Sequence, residues 1–257
     1  MKVAVCQLNI LEGKVEENIS LIENTLKSLS DETFDLICLP ELCITGYDFE
    51  SVKNSTVDER KLFSDLAKKY NVNLFAGYAY KEGDSYYDMA SVWKKDGSEA
   101  LAYKKIHLWG DERAFFQHGD EVAVGELDGV KIGVMICADL GFADLPKIMA
   151  LKGCQLMICP AAWSYPFQNL YKLMTRARAA ENQMFAISIN RASGMNGFCG
   201  NSSISDPDGE IISQSDSVEQ EILKVEFDPN IVAQKREATP WLKMRLPEVY
   251  EKNYKDI

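Results

Sequence analysis

With 257 residues, 46% of them hydrophobic, the chain can bury a substantial core, and no Pro/Gly/Ser-rich linker divides it, so a single domain over residues 1–257 is expected. A formal charge of −11, with lysines scattered rather than gathered in a stripe, argues against nucleic acid as a partner. No apolar run approaches the roughly 20 residues of a membrane span, and the N-terminal apolar stretch is too short for a signal peptide, so a cytoplasmic protein with no membrane partner is expected.

The chain opens with a strand near Val3 to Leu8 and a helix carrying Ile19, Ile22, Leu26 and Leu29 at helical spacing. A strand follows at Leu36 to Leu39, then a helix with Leu62, Leu66 and Tyr70 on one face, then a strand at Leu74 to Tyr80. Ser91 to Lys94 and Ala100 to Tyr103 flank Lys95-Asp96-Gly97, a turn suited to a hairpin. Next come a strand at Val130 to Ile136, a helix through Ile148 and Leu151, a strand at Leu156 to Cys159, a helix across Leu170 to Asn182 and a strand at Phe185 to Asn190. Ser202 to Asp206 and Glu210 to Ser213 flank Pro207-Asp208-Gly209 as a second hairpin, and Glu221 to Phe227 is the last strand. The result is an α/β fold with mixed sheet. The tail, about 228–257, shows little periodicity and is expected to lie extended on the domain or on a partner subunit.

Seven cysteines form an odd set without a Cys-x-x-Cys pair, and with only two histidines neither a disulfide framework nor a structural zinc site is indicated. Three ionisable or nucleophilic residues stand at the ends of apolar strands. Cys137 ends Lys131-Ile-Gly-Val-Met-Ile, where a strand-to-helix turn would expose a nucleophile to backbone N–H groups; a buried cysteine acting as a small hydrophobe is the alternative. Glu41 ends Leu36-Ile-Cys-Leu-Pro, placed to be a general base or a turn cap. In Tyr103-Lys104-Lys105-Ile106-His107, strand alternation puts Lys105 on the face opposite Lys104, so its ammonium can stabilise a thiolate and an oxyanion, whereas a solvated lysine pair is the alternative.

Taken together and in this order, these segments resemble the carbon-nitrogen hydrolase family, the nitrilase superfamily, whose members use a Glu-Lys-Cys triad. Leu39-Pro40-Glu41 with Thr45-Gly46-Tyr47, Tyr103-x-Lys105-x-His107-Leu108 and Gly133-Val-Met-Ile-Cys137-x-Asp139 match its three motifs. Glu112, seven residues before Gly119, matches a second glutamate that helps position substrate and lysine. Arg176 to Asn182, Asn190-Arg191 and the late hairpin carry the likeness through the chain. The resemblance implies a four-layer αββα sandwich, a homodimer or higher homo-oligomer, and no metal or organic cofactor.

It also implies a mechanism in which Cys137 attacks a small-molecule amide, Glu41 moves the proton, and Lys105 with the Ala138 N–H binds the oxyanion. The products are a carboxylic acid and ammonia by way of a thioester. An omega-amidase is the concrete expectation, with Arg191 as a candidate anchor for a substrate carboxylate. Alternatives are an N-carbamoyl hydrolase or a nitrilase using the same triad, or a silent binding scaffold. Where many members continue after the cysteine as x-Asp-x-Arg-Phe-Pro-Glu, this chain has Gly141, Ala143 and Asp144 in place of Arg, Pro and Glu, which alters the wall beside the sulfur.

Overall fold

The first strand shows how the layers arise. In β1 (Lys2–Gln7), Val3 and Val5 project to one side and Ala4 and Cys6 to the other, and all four are fully buried, so the strand needs cover on both faces. The structure, a computed structural model, describes residues 1–192 and 197–255.

The first half of the chain supplies β1, α1 (Val15–Ser28), β2 (Leu36–Cys38), α2 (Phe49–Asn54), α3 (Glu59–Tyr70), β3 (Leu74–Glu82), β4 (Ser85–Trp93) and β5 (Glu99–Lys104). The second half supplies α4 (Glu112–Phe115), β6 (Val124–Leu127), β7 (Val130–Val134), α5 (Asp144–Leu151), β8 (Leu156–Ala161), α6 (Gln168–Asn182), β9 (Phe185–Asn190), β10 (Ser203–Ser205) and β11 (Ile211–Gln214). Then β12 (Glu221–Glu226) crosses back to lie antiparallel beside β1, followed by α7 (Ile231–Ala238) and α8 (Pro247–Tyr254).

Two six-stranded mixed sheets result, ordered β12-β1-β2-β3-β4-β5 and β11-β10-β9-β8-β7-β6. Each has three parallel strands at its centre, β1-β2-β3 in one and β7-β8-β9 in the other, flanked by antiparallel partners. The outward side chains of the first sheet, Ala4, Ile37, Leu74 and Trp93, pack with Ile22 and Leu26 of α1 and Phe63 and Leu66 of α3. The inward set, Val3, Val5, Leu36 and Phe75, joins Ile132, Val134, Leu156 and Ile187 of the second sheet in one continuous core, which α5 and α6 extend through Met149 and Tyr171. This is the four-layer αββα sandwich.

Local chemistry sets several boundaries. Asp48 and Asp58 cap α2 and α3 by accepting from Ser51 N (3.0 Å) and Lys61 N (2.9 Å). The first hairpin closes at Gly97, whose φ of +81° suits a residue without a Cβ.

The tail is a correction to the sequence reading, because it is largely helical rather than extended. Val232 of α7 is buried, and Arg236 Nη2 donates to the carbonyls of Cys154 (2.7 Å) and Asn182 (3.1 Å). Pro247 opens α8 with a φ already suited to a helix, and no residue of α8 is buried, so its sequence carries no apolar stripe by which to recognise it. Residues 256–257 of the expected tail lie outside the described residues. The short elements α2, α4 and β6 were also not anticipated.

Candidate active site

Glu41 and Cys137 come from the C-terminal ends of central parallel strands, the usual place for a site in an open α/β sheet, and Lys105 from the end of the antiparallel edge strand β5. Glu41 follows β2 by a short turn and Cys137 follows β7. Lys105 is the first residue beyond β5, still tied in by its N–H to Asp88 O (2.9 Å). Glu41 and Lys105 have no exposed surface, and Cys137 has 8%.

Lys105 Nζ donates to Glu41 Oε1 (2.6 Å) and to Glu112 Oε1 (2.8 Å), and lies 3.1 Å from Asp88 Oδ2. Strand alternation separates the two lysines as expected, since Lys104 turns outward to bond Glu82 Oε2 (2.8 Å). Glu112 is held at both oxygens: Tyr47 Oη donates to Oε1 (2.9 Å) and Trp109 N to Oε2 (2.9 Å). The carboxyl oxygens of Glu41, Asp88 and Glu112 lie within 4.8 Å of one another, a spacing that suits a cation. The ammonium of Lys105 is in contact with all three and is the cation that this cluster holds.

Glu41 is fixed from behind. β3 passes so close that a Cβ on Gly77 would come within 2.7 Å of the Glu41 Cα and 2.9 Å of Pro40 O, so glycine is required there. The turn that carries Cys137 is fixed by Asp139. Its Oδ2 accepts from Tyr103 Oη (2.7 Å) and Ile136 N (2.9 Å), while its Oδ1 accepts from His107 N (3.0 Å) and contacts His107 Nδ1 (2.7 Å). One buried carboxylate thus ties the Lys105 segment to the turn that carries Cys137. Cys137 has φ +45°, a strained value for a side-chain-bearing residue and typical of a nucleophile held on a sharp turn.

The electrostatics correct one expectation. Burial pushes the Cys137 thiol well above its ordinary value, the Glu41 and Glu112 charges push it further, and Lys105 opposes them without prevailing. The resting group is therefore a thiol rather than a standing thiolate. For Glu41, burial raises the carboxyl, but the Lys105 ammonium and hydrogen bonds from its neighbours outweigh it, leaving the pKa below the usual value. Burial pushes Asp88 well above the carboxylate range. Lys105 pays for its burial, but the surrounding acids raise it well above its ordinary value, so it stays charged.

Cys137 and Ala138 sit in the wall of a cavity of about 710 Å³, while Glu41 and Lys105 stand enclosed outside that wall. The lining is largely aromatic and aliphatic, including Trp109, Trp163 and Phe167. Gly141 also lines it, and a Cβ there would meet nothing within 4 Å, so the position leaves open space. His107 stacks on Phe142 with ring centroids 3.4 Å apart. Arg191 does not reach this cavity: it is fully buried, donates to Ile10 O (2.8 Å) and pairs with Glu12 (2.8 Å), which removes it as a substrate anchor.

Among known proteins, the family model for carbon-nitrogen hydrolases matches residues 2–237. The chain belongs to the carbon-nitrogen hydrolase family. A nitrilase of Pyrococcus abyssi is 33% identical over 247 residues, covering 92% of this chain and 93% of its own length. The 2-oxoglutaramate amidase of Bacillus subtilis is 32% identical over 247 residues, covering 93% and 95%. The crystal structure of a carbon-nitrogen hydrolase from Helicobacter pylori G27 matches with a TM-score of 0.90 at 27% identity, over 98% of this chain and 97% of that one. This carbon-nitrogen hydrolase thus acts on carbon–nitrogen bonds other than peptide bonds.

Sequence reasoning missed Asp88 and Arg113. Asp88 was recoverable, because continuing the hairpin pairing of Ser91 with Ala102 down the strands sets Asp88 beside Lys105. Arg113 immediately follows Glu112 and lines the cavity, a placement that depends on the short helix α4.

Proposed function

We propose that the protein hydrolyses a small-molecule amide to a carboxylic acid and ammonia through a thioester on Cys137. The observation that carries this reading is the hydrogen bond of 2.6 Å between Lys105 Nζ and Glu41 Oε1, made beside the Cys137 turn in full burial. It keeps a carboxylate ionised to act as base and holds a charged ammonium beside it to meet an oxyanion. Because the resting sulfur is protonated, the S–C bond forms as the thiol proton passes to Glu41. The carbonyl oxygen takes the negative charge and is met by Lys105 and the Ala138 N–H. Glu41 then gives its proton to the departing nitrogen as the C–N bond breaks, releasing ammonia. A water, deprotonated by Glu41, attacks the thioester, and Cys137 leaves with the proton restored to it.

The finer reading is an omega-amide of a short dicarboxylic acid, in line with the 2-oxoglutaramate amidase among the relatives. The cavity suits an apolar chain ending in an anion. Among the described residues Arg113 is the one arginine in its lining and no carboxylate lines it, and the guanidinium's bond from Nε to Leu108 O (3.0 Å) leaves both Nη groups for a ligand. Ammonia release scored across amides, carbamoyl compounds and nitriles, with intact-mass analysis for an acyl adduct on Cys137, tests the proposal. Turnover of an omega-amide with the adduct on Cys137 is expected. Turnover of nitriles or carbamoyl compounds alone, or an adduct on another cysteine, would overturn it.

A homodimer in the cytoplasm completes the proposal. Leu173 on α6, 63% exposed, Met244 in the tail, 69%, and Leu151 at the end of α5 leave apolar surface that a second copy could cover. Among the described residues no helix is long and apolar enough to cross a membrane.

A further inference from the structure

The mechanism above gives Asp88 no task, yet Asp88 is fully buried within the charged cluster. Lys105 Nζ, 3.1 Å from Asp88 Oδ2, spends its hydrogen bonds on Glu41 and Glu112. Both oxygens of Asp88 and Oε2 of Glu41 are consequently buried acceptors that receive no hydrogen bond among the described residues. Buried oxygens facing one another without a donor are costly. If all three acids were ionised, the cluster would also carry three negative charges against one positive charge in a site closed to water.

A single proton relieves both problems, and the hydrogen bonds say where it sits. Glu112 receives three donors and Glu41 receives the shortest bond from the ammonium, whereas Asp88 receives none. The proton belongs on the acid with the least support.

We propose that Asp88 is a positioning residue whose carboxyl group is neutral in the resting enzyme and donates its O–H to Glu41 Oε2, fixing Glu41 as an ionised base beside Cys137. The charged groups facing it are Glu41 from the segment after β2, Lys105 beyond β5 and Glu112 of α4, with Tyr47 and Cys137 beyond them against Glu41 and Lys105. The direction of the Asp88 shift, upward through burial, agrees with this placement. With both oxygens of Glu41 held, one by Lys105 and one by Asp88, the carboxylate cannot rotate away from the sulfur. Asparagine at position 88 keeps the shape and a donor. Alanine keeps neither.

The consequence for catalysis rests on the amide-hydrolase reading, whereas the position of the proton does not. The test uses Asp88→Asn and Asp88→Ala, each also made in a Glu59→Gln background so that the other strongly raised buried acid does not contribute. Infrared spectra near neutral pH should show a protonated-carboxyl band in Glu59→Gln that disappears when Asp88→Asn is added. With an amide substrate, Asp88→Ala should lower kcat by roughly 10- to 100-fold, while Asp88→Asn recovers most of it and keeps the wild-type pH profile. An unchanged band, or an Asp88→Asn enzyme as impaired as Asp88→Ala, would overturn the proposal. If Asp88→Ala does not fold, the band and the Asp88→Asn activity still decide. Failure of the wild type to release ammonia from any amide would sink the functional reading instead, and the band alone would then decide where the proton sits.

Discussion

Glu59 and Glu41 are both enclosed carboxyl groups, 5% and 0% exposed, yet the surrounding protein drives them in opposite directions. Glu59, at the start of α3, accepts from Ala79 N at 3.2 Å, and burial with the nearby Asp58 charge pushes its pKa up to about 8. Glu41 is buried more completely but sits 2.6 Å from an ammonium and falls below the ordinary value. The difference shows that burial alone makes a carboxyl group neutral and useless as a base at neutral pH, and that Lys105 reverses this. Lys105 is thus a charge holder for Glu41 before it meets any substrate.

The largest effects should come from breaking the Glu41 side of this contrast. Cys137→Ala should reduce ammonia release to background while the protein stays folded, as checked by circular dichroism. Lys105→Ala should lower kcat by about 10²- to 10³-fold and leave Glu41 resembling Glu59. Lys104→Ala, which removes a half-exposed pair with Glu82 and a contact with the Tyr87 ring, should cost about 1 kcal/mol of stability and little activity. Steady-state kinetics on the two lysine variants checks the ordering.

A smaller effect is expected at the cavity wall. Arg113→Ala should raise KM for an omega-amide such as succinamate by about tenfold and leave a neutral amide of similar length unaffected, as substrate titrations would show. Equal effects on both would remove Arg113 as an anchor.

The effect at Glu59 lies outside the site and appears in stability rather than rate. Its folded pKa of about 8 lies above the unfolded value near 4.3, so between these values the native state holds a proton that the unfolded chain has lost. The contribution is full below the unfolded value and declines as pH rises towards about 8. Glu59→Gln should flatten that decline in urea denaturation measured at pH 5 and pH 8, whereas an unaltered pH dependence would show that Glu59 is ionised in the fold.

The sequence made the strand-delivered part of the site legible. Glu41, Lys105 and Cys137 each follow an apolar strand, and alternation alone separated Lys105 from Lys104. What it could not show depends on contacts made in three dimensions. Asp88 becomes significant only when the β4–β5 register is carried past the expected hairpin. The thiol state of Cys137 was misjudged because an adjacent lysine suggested an anion, while the folded site also surrounds the sulfur with acids and removes water. Arg191 looked available in sequence but is consumed by Glu12 and Ile10. The helical tail escaped because α8 buries nothing and so leaves no pattern.

The central claim, that the Lys105 ammonium keeps a fully buried Glu41 ionised, is tested most directly by a pH titration of glutamate side-chain carboxyl carbons by NMR, with Glu41→Gln and Glu59→Gln used for assignment. The account predicts that the Glu41 signal remains that of a carboxylate to below the ordinary glutamate pKa, while Glu59 changes near pH 8. A Glu41 signal that is protonated at neutral pH alongside Glu59 would contradict it.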